Sequence, residues 1–275
     1  MGKGEKMNKN LKNDYVFLIG GYDLEMQEIK NILAEHNCQY IDKKLNWGAK
    51  LSSYQEYFDN KEFNEKTFVG IELIKDCDVP GKYIEIDHHN ENKSLPSSIQ
   101  QVANLLDIEL DRRQVLISAN DSGYIKGLIE QNASDKEIVE IRSEDRKAQG
   151  ITEEDEVKAT ESVKNNSKFT DSLLVIESLT NRFSAVCDAV FVSAENYEKY
   201  KKIIIYDENE VDYYFYNKDG NIISRLEELV KKEVTPENGY SFSGGSEESG
   251  FFGVGFNTPS IEKAREIVEK IKETL

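Results

Sequence analysis

Short apolar runs alternate with segments of helical period along the first half of the chain. Tyr15-Val16-Phe17-Leu18-Ile19 leads through Gly20-Gly21 into Asp23 to His36, where Leu24, Ile29, Ile32 and Leu33 recur at three- and four-residue spacing. The pattern predicts a strand, a glycine turn and a helix. Two further strand-like runs, Thr67 to Ile74 and Lys82 to Ile86, are separated by Asp76, Asp78, Pro80 and Gly81. Between the first helix and these runs the signal is weaker, with Ser52 to Phe58 fitting a short helix. Ser97 to Leu106 predicts a helix capped by Ser97, with Ile99, Val102, Ala103 and Leu106 on one face. Leu110 to Ala119 then runs into Asn120-Asp121-Ser122-Gly123. Strands alternating with helices predict an α/β fold: a parallel sheet with helices on both faces.

The pattern changes from about Ser134 to Ser167, where charge dominates and Thr152-Glu153-Glu154-Asp155 gives a helix-start signal ahead of Val157, Ala159 and Val163. We read it as a connecting helical segment. Beyond it come strand-like runs at Leu173 to Ile176, Ala189 to Val192, Lys202 to Tyr206 and Val211 to Tyr216. A helix near Ile223 to Lys232, a glycine-rich stretch and an amphipathic helix from Ser260 to Leu275 follow. The expected organisation is a flexible tail over 1–14, a first domain over 15–133, a linker over 134–167 and a smaller C-terminal α/β domain over 168–275.

Composition narrows the partners. Asp and Glu number 52 against 35 Lys and Arg, a net charge of -17, whereas a sequence-blind grip on long nucleic acid needs a dense basic surface. A small anionic substrate, brought in by a local cationic group, is not excluded by this charge. The three cysteines, Cys38, Cys77 and Cys187, show no CxxC spacing, and an odd set suits a reducing cytoplasm better than a disulfide framework. The sequence has no apolar run long enough to span a bilayer and no signal-peptide core at its start, so a membrane role is not expected. A homodimer is compatible with the sequence.

The candidate chemistry begins at Asp87-His88-His89, which closes the run Tyr83-Ile84-Glu85-Ile86 and holds two of the three histidines. In a parallel sheet the carboxyl ends of the strands are where ligands bind. Asp23 and Glu25 follow the first strand, Glu72 lies in the second run, and Asp121, in Asn120 to Gly123, follows the helix after the His pair. If the strands are adjacent, these groups gather at one sheet edge. Carboxylates with one imidazole suit Mn2+ or Mg2+, and such ions polarise phosphoryl groups and activate water. Taken singly, Asp23 serves equally as a helix cap and Glu72 as an outward strand residue. Arg142 and Arg146, four apart beside Asp145, present either a phosphate clamp or a solvated helix face. Tyr213, Tyr214 and Tyr216 present either base-stacking rings or alternating strand packing.

Taken together, these motifs resemble the DHH phosphoesterase superfamily over most of the chain. Gly21-Tyr22-Asp23-Leu24-Glu25 is similar to its first motif, Glu72 falls at the second, Ile86-Asp87-His88-His89 is the third, and Asn120-Asp121-Ser122-Gly123 resembles the fourth. Ser243-Gly244-Gly245-Ser246 with Gly250, Gly253 and Gly255 is similar to the glycine-rich substrate loop of the associated DHHA1 domain. The resemblance implies a metal-dependent phosphoesterase with one or two Mn2+ or Mg2+ ions. One ion would use Asp23 and Glu72; the other would use Glu25, Glu72, His88 and Asp121. His89 would contact the phosphoryl group, Asp87 would orient the His pair, and Gly244, Gly245 and Ser246, with Arg142 and Arg146, would meet substrate. The implied substrate is a small phosphate ester or a short oligonucleotide, bound between the domains.

The chain also departs from the family pattern. Ile19 stands where the family has a histidine, Glu25 and Glu72 where it has aspartates, and Ser246 where it has a histidine. The alternative reading, favoured by Ile19 and Ser246, is a DHH-like nucleotide- or metal-binding regulator with impaired chemistry.

Overall fold

The structure, a computed structural model, describes residues 14–89, 92, 94–217, 221–231, 237–245 and 249–275. The chain forms two compact units, 1–150 and 151–275. The expected N-terminal tail, apart from Asp14, lies outside the described residues, as do Ser246 and the Lys232 end of the predicted helix.

In the first unit, β1 (Tyr15–Ile19), β2 (Gln39–Asp42), β3 (Thr67–Ile71) and β4 (Tyr83–Ile86) form one sheet in the order β2-β1-β3-β4. All three pairings are parallel. Val16, Phe17, Leu18 and Ile19 are all fully buried, as expected where both faces of a parallel sheet are covered. On one face Phe17, Ile19, Val69, Ile71 and Ile86 pack with Met26, Ile29 and Leu33 of α1 (Leu24–Glu35) and with Ile99 and Val102 of α2 (Ser98–Leu106). On the other, Val16, Leu18 and Phe68 pack with Leu51, Tyr54, Phe58 and Phe63. Ile19, which stands at the family's histidine position, is therefore a core residue.

Chain order turns at β1, whose neighbours are β2 and β3, so the carboxyl ends of β1 and β3 border the crevice at the switch point. The backbones meet closely there. Gly20 donates its N–H to Ile71 O at 2.8 Å, and a Cβ on Gly20 would lie 2.4 Å from Glu72 O. Only glycine fits that approach.

The sequence reading placed Asn120 to Gly123 after a helix, but these residues lie inside one, α3 (Arg112–Glu130), which is kinked at Tyr124 (φ 52, ψ -140). The charged segment read as one linker forms two helices, α4 (Asp135–Ala148) and α5 (Glu153–Asn165), and the unit boundary falls between them. Each carries its own capping box, Ser134 with Glu137 and Thr152 with Asp155, so each starts independently.

The second unit contains β5 (Ser167–Thr170), β6 (Leu173–Glu177), α6 (Phe183–Val190), α7 (Ala194–Lys199), β7 (Lys202–Tyr206), β8 (Glu210–Phe215), α8 (Ile222–Val230), β9 (Gly239–Gly245), β10 (Gly250–Phe256) and α9 (Ile261–Thr274). Its sheet runs β5-β6-β7-β8-β10-β9, with β6 and β7 its parallel pair. Ile204, Val211, Tyr213, Phe252 and Val254 pack against Leu226 of α8 and Ile267 and Ile271 of α9. Ala189 to Val192, read as a strand, is instead the end of α6 and the residues after it. Tyr213 is wholly buried, and Tyr214 donates its hydroxyl to Asp212 at 2.6 Å, so the tyrosine pattern is strand packing here. Among the described residues, no helix is long and apolar enough to cross a membrane.

Candidate metal centre

Two strand ends and two helices each contribute one group to a common point. Ile71 ends β3, and Glu72 follows in a left-handed conformation (φ 51) with its N–H donated to Ile86 O at 2.8 Å. The sequence pattern placed Glu72 within the strand, but the turn aims its carboxylate across the sheet edge. His88 follows β4, Glu25 lies in the first turn of α1, and Asp121 lies in α3 just before the kink. The ligand atoms of Glu25, Glu72, His88 and Asp121 all lie within 4.8 Å of one another. From His88 Nε2 the distances are 2.6 Å to Asp121 Oδ2, 3.5 Å to Glu72 Oε1 and 3.8 Å to Glu25 Oε2.

The N-terminus of α2 holds two of these acids. Ser98 donates its hydroxyl to Glu72 Oε1 at 2.9 Å, and the Ile99 N–H donates to Glu25 Oε1 at 3.0 Å. A helix N-terminus favours negative charge, so α2 both orients and stabilises the pair. Ser97 was read only as the cap of this helix, and the roles of Ser98 and the Ile99 N–H carry no sequence signal of their own. Glu25 Oε2, His88 Nε2 and Asp121 Oδ2 are buried without a geometrically satisfactory hydrogen bond, though Nε2 and Asp121 Oδ2 lie only 2.6 Å apart. Buried, unsatisfied carboxylate oxygens and an imidazole nitrogen are costly, and a cation that takes their lone pairs satisfies them. Three carboxylates and one imidazole suit a divalent ion such as Mn2+ or Mg2+, and the residues present fit one.

The electrostatics agree. Burial, reinforced by the charges of Asp121 and Glu72, raises the Glu25 pKa well above the usual carboxylate range. Burial opposes a charged His88, yet the Asp121 and Glu72 carboxylates override it and push its pKa up to about 10. The centre thus attracts a proton where a metal would otherwise sit.

The remaining residues named from sequence divide. Asp23 lies outside the four-ligand group and caps α1, its Oδ1 accepting the Met26 N–H at 2.9 Å. Its Oδ2 accepts the indole N–H of Trp47 at 3.4 Å. His89 is exposed, its Nδ1 2.9 Å from Asp87 Oδ1 and 4.0 Å from Glu72 Oε1. Asp87 also accepts the His89 N–H, so it orients His89 in particular. Arg142 is not presented as a phosphate clamp. It is buried, donates to Asn120 at 2.9 Å and Asp145 at 2.6 Å, and lies 4.5 Å from the Tyr124 ring centre. Asp145 in turn accepts the Leu24 N–H at 3.4 Å, so this cluster ties α4 to the start of α1 and to the residue before Asp121. Arg146 is half-buried on α4. Gly244 and Gly245 end β9, in the second unit.

No family model matches the sequence, and no curated protein matches it. Among solved structures, the DHH domain of a member of the s1p family of ribosomal proteins aligns with 96% of this chain and 87% of its own, at 13% identity and a TM-score of 0.49. The pGpG-specific phosphodiesterase PggH from Vibrio cholerae aligns with 94% of this chain and 98% of its own, at 11% identity and a TM-score of 0.45. The exonuclease RecJ bound to manganese aligns with 96% and 91%, at 10% identity and a TM-score of 0.42. The chain is similar to DHH-domain proteins. This is a likeness of fold, and the functional reading that follows rests on the side chains of the centre itself.

Proposed function

We propose that this chain is a divalent-metal-dependent phosphoesterase that hydrolyses a small phosphate ester or a short oligonucleotide. The observation that carries the reading is the convergence of Glu25, Glu72, His88 and Asp121 on one point, with three of their buried atoms lacking a geometrically satisfactory hydrogen bond. A Mn2+ or Mg2+ ion bound there supplies Lewis-acid polarisation of a phosphoryl group and acidifies water. His89 stands at the open side of the centre. With Nδ1 engaged by Asp87, its ring offers Nε2 to a phosphoryl oxygen, where an imidazolium would stabilise developing negative charge. With Asp23 spent on capping α1 and Ile19 in the core, the reading is of one ion in the four-ligand group.

The experiment is Mn2+-dependent hydrolysis of a panel, read as phosphate release from adenosine 3′,5′-bisphosphate and inorganic pyrophosphate and as chromatographic formation of mononucleotide or linear product from a linear and a cyclic dinucleotide. Product formation from one member, abolished by His88→Ala, is expected. Tight nucleotide binding without product formation at saturating Mn2+ would overturn the catalytic reading.

A further inference from the structure

Trp47, the single tryptophan of the chain, is 59% exposed. Its polar edge is nevertheless engaged, the indole N–H donating to Asp23 Oδ2 at 3.4 Å. An indole tied by its polar edge and wet on its faces is arranged for contact with another flat group. It stands directly beside the centre. A Cβ on Gly21 would meet Glu72 Oε2 at 3.2 Å and Trp47 Cδ1 at 3.9 Å, so one bare glycine (φ 77) lies between the indole and the carboxylate. Nothing in the metal chemistry requires an aromatic ring there, whereas a nucleotide presents a base next to the phosphate that the centre would hold.

We propose that Trp47 is a nucleobase platform: the base of a nucleotide stacks on the indole while its phosphate is engaged at Glu25, Glu72, His88 and Asp121. The inference rests on the phosphoesterase reading and narrows its substrate class to esters that carry a base. Stacking is tolerant of base identity, so the platform selects nucleotides over base-free phosphates without choosing among bases.

As the only tryptophan, Trp47 reports on itself. In Mg2+, titration with AMP is expected to change the intrinsic emission saturably, and ribose 5-phosphate is expected to leave it unchanged. Calorimetry should show AMP binding weakened about tenfold or more in Trp47→Ala and largely kept in Trp47→Phe, which retains a ring face but loses the N–H. Emission that AMP does not alter, AMP affinity unchanged in Trp47→Ala, or equal losses in Trp47→Ala and Trp47→Phe would each overturn the platform; the last would assign the indole a structural role through Asp23. Mn2+ binding lost in His88→Ala but kept in Trp47→Ala separates the two claims, because the centre then stands whatever the platform does.

Discussion

Like charges crowd the centre, and the protonation of its residues follows from that. Burial, resisted by the Met26 N–H bond and aided by the charges of Asp121, Glu72 and Asp145, brings Asp23 to about 7, while burial also raises Glu25 well above the usual carboxylate range and His88 holds its proton to about 10. A divalent ion must displace that proton from Nε2. Mn2+ binding at pH 7 is therefore expected to release protons and to weaken as pH falls, seen as a buffer-dependent heat in calorimetry. Ser98 touches no ion but holds Glu72 in place, so Ser98→Ala is expected to weaken Mn2+ binding about 10- to 100-fold with the fold intact, as read by titration and circular dichroism. In the second unit, Asp212 is buried with Oδ1 unpartnered, and burial raises its pKa to about 8 against the Tyr214 hydrogen bond. The folded chain therefore binds this proton more tightly than the unfolded chain does. Between the ordinary value of 3.8 and about 8, stability falls as pH rises. Asp212→Asn should flatten that fall, so denaturant midpoints of the two proteins should diverge in the variant's favour from pH 5 to pH 9.

At the scale of elements, one backbone contact and one side-chain tie support the centre. A methyl on Gly20 would press on the Glu72 carbonyl at 2.4 Å, so Gly20→Ala is expected to cost about 1–3 kcal/mol and to weaken Mn2+ binding by shifting Glu72. Arg142 joins α4 to Asn120 beside the kink in α3. Arg142→Ala, which removes the cation paired with the buried Asp145 and leaves it only the neutral Leu24 N–H and Gln149 amide donors, should cost about 3 kcal/mol in denaturant unfolding. Elements were legible in the sequence where one periodicity dominated. The bounds of β1 match its apolar run, and α2 starts at its serine cap. Ala189 to Val192 misled because four apolar residues fit a strand or a helix end equally, and the preceding turns of α6 decide between them. The short strands β2 and β5 are too polar to stand out, and β9 and β10 are rich in glycine, a residue that argues against a strand interior until rings such as Phe242 and Phe251 cover it.

At the scale of the molecule, the acidic surface and the acidic centre act in the same direction. A net charge of -17 disfavours long polyanions, and under the proposed function the acidic centre would take up a phosphate only with a cation to bridge the charges. Glu25, Glu72, His88 and Asp121 were named together from the family resemblance, and the structure brings their ligand atoms within 4.8 Å of one another although Glu25 and Asp121 lie in helices rather than at strand ends. The roles of Ser98, Trp47 and Arg142 were not legible in the sequence, because each depends on a contact between residues far apart along the chain. Displacement of the free Mn2+ signal in electron paramagnetic resonance tests the central claim most directly. One ion per chain is predicted to bind, with binding lost in His88→Ala. Absence of binding, or binding that survives His88→Ala undiminished, would contradict the assignment of the centre to Glu25, Glu72, His88 and Asp121.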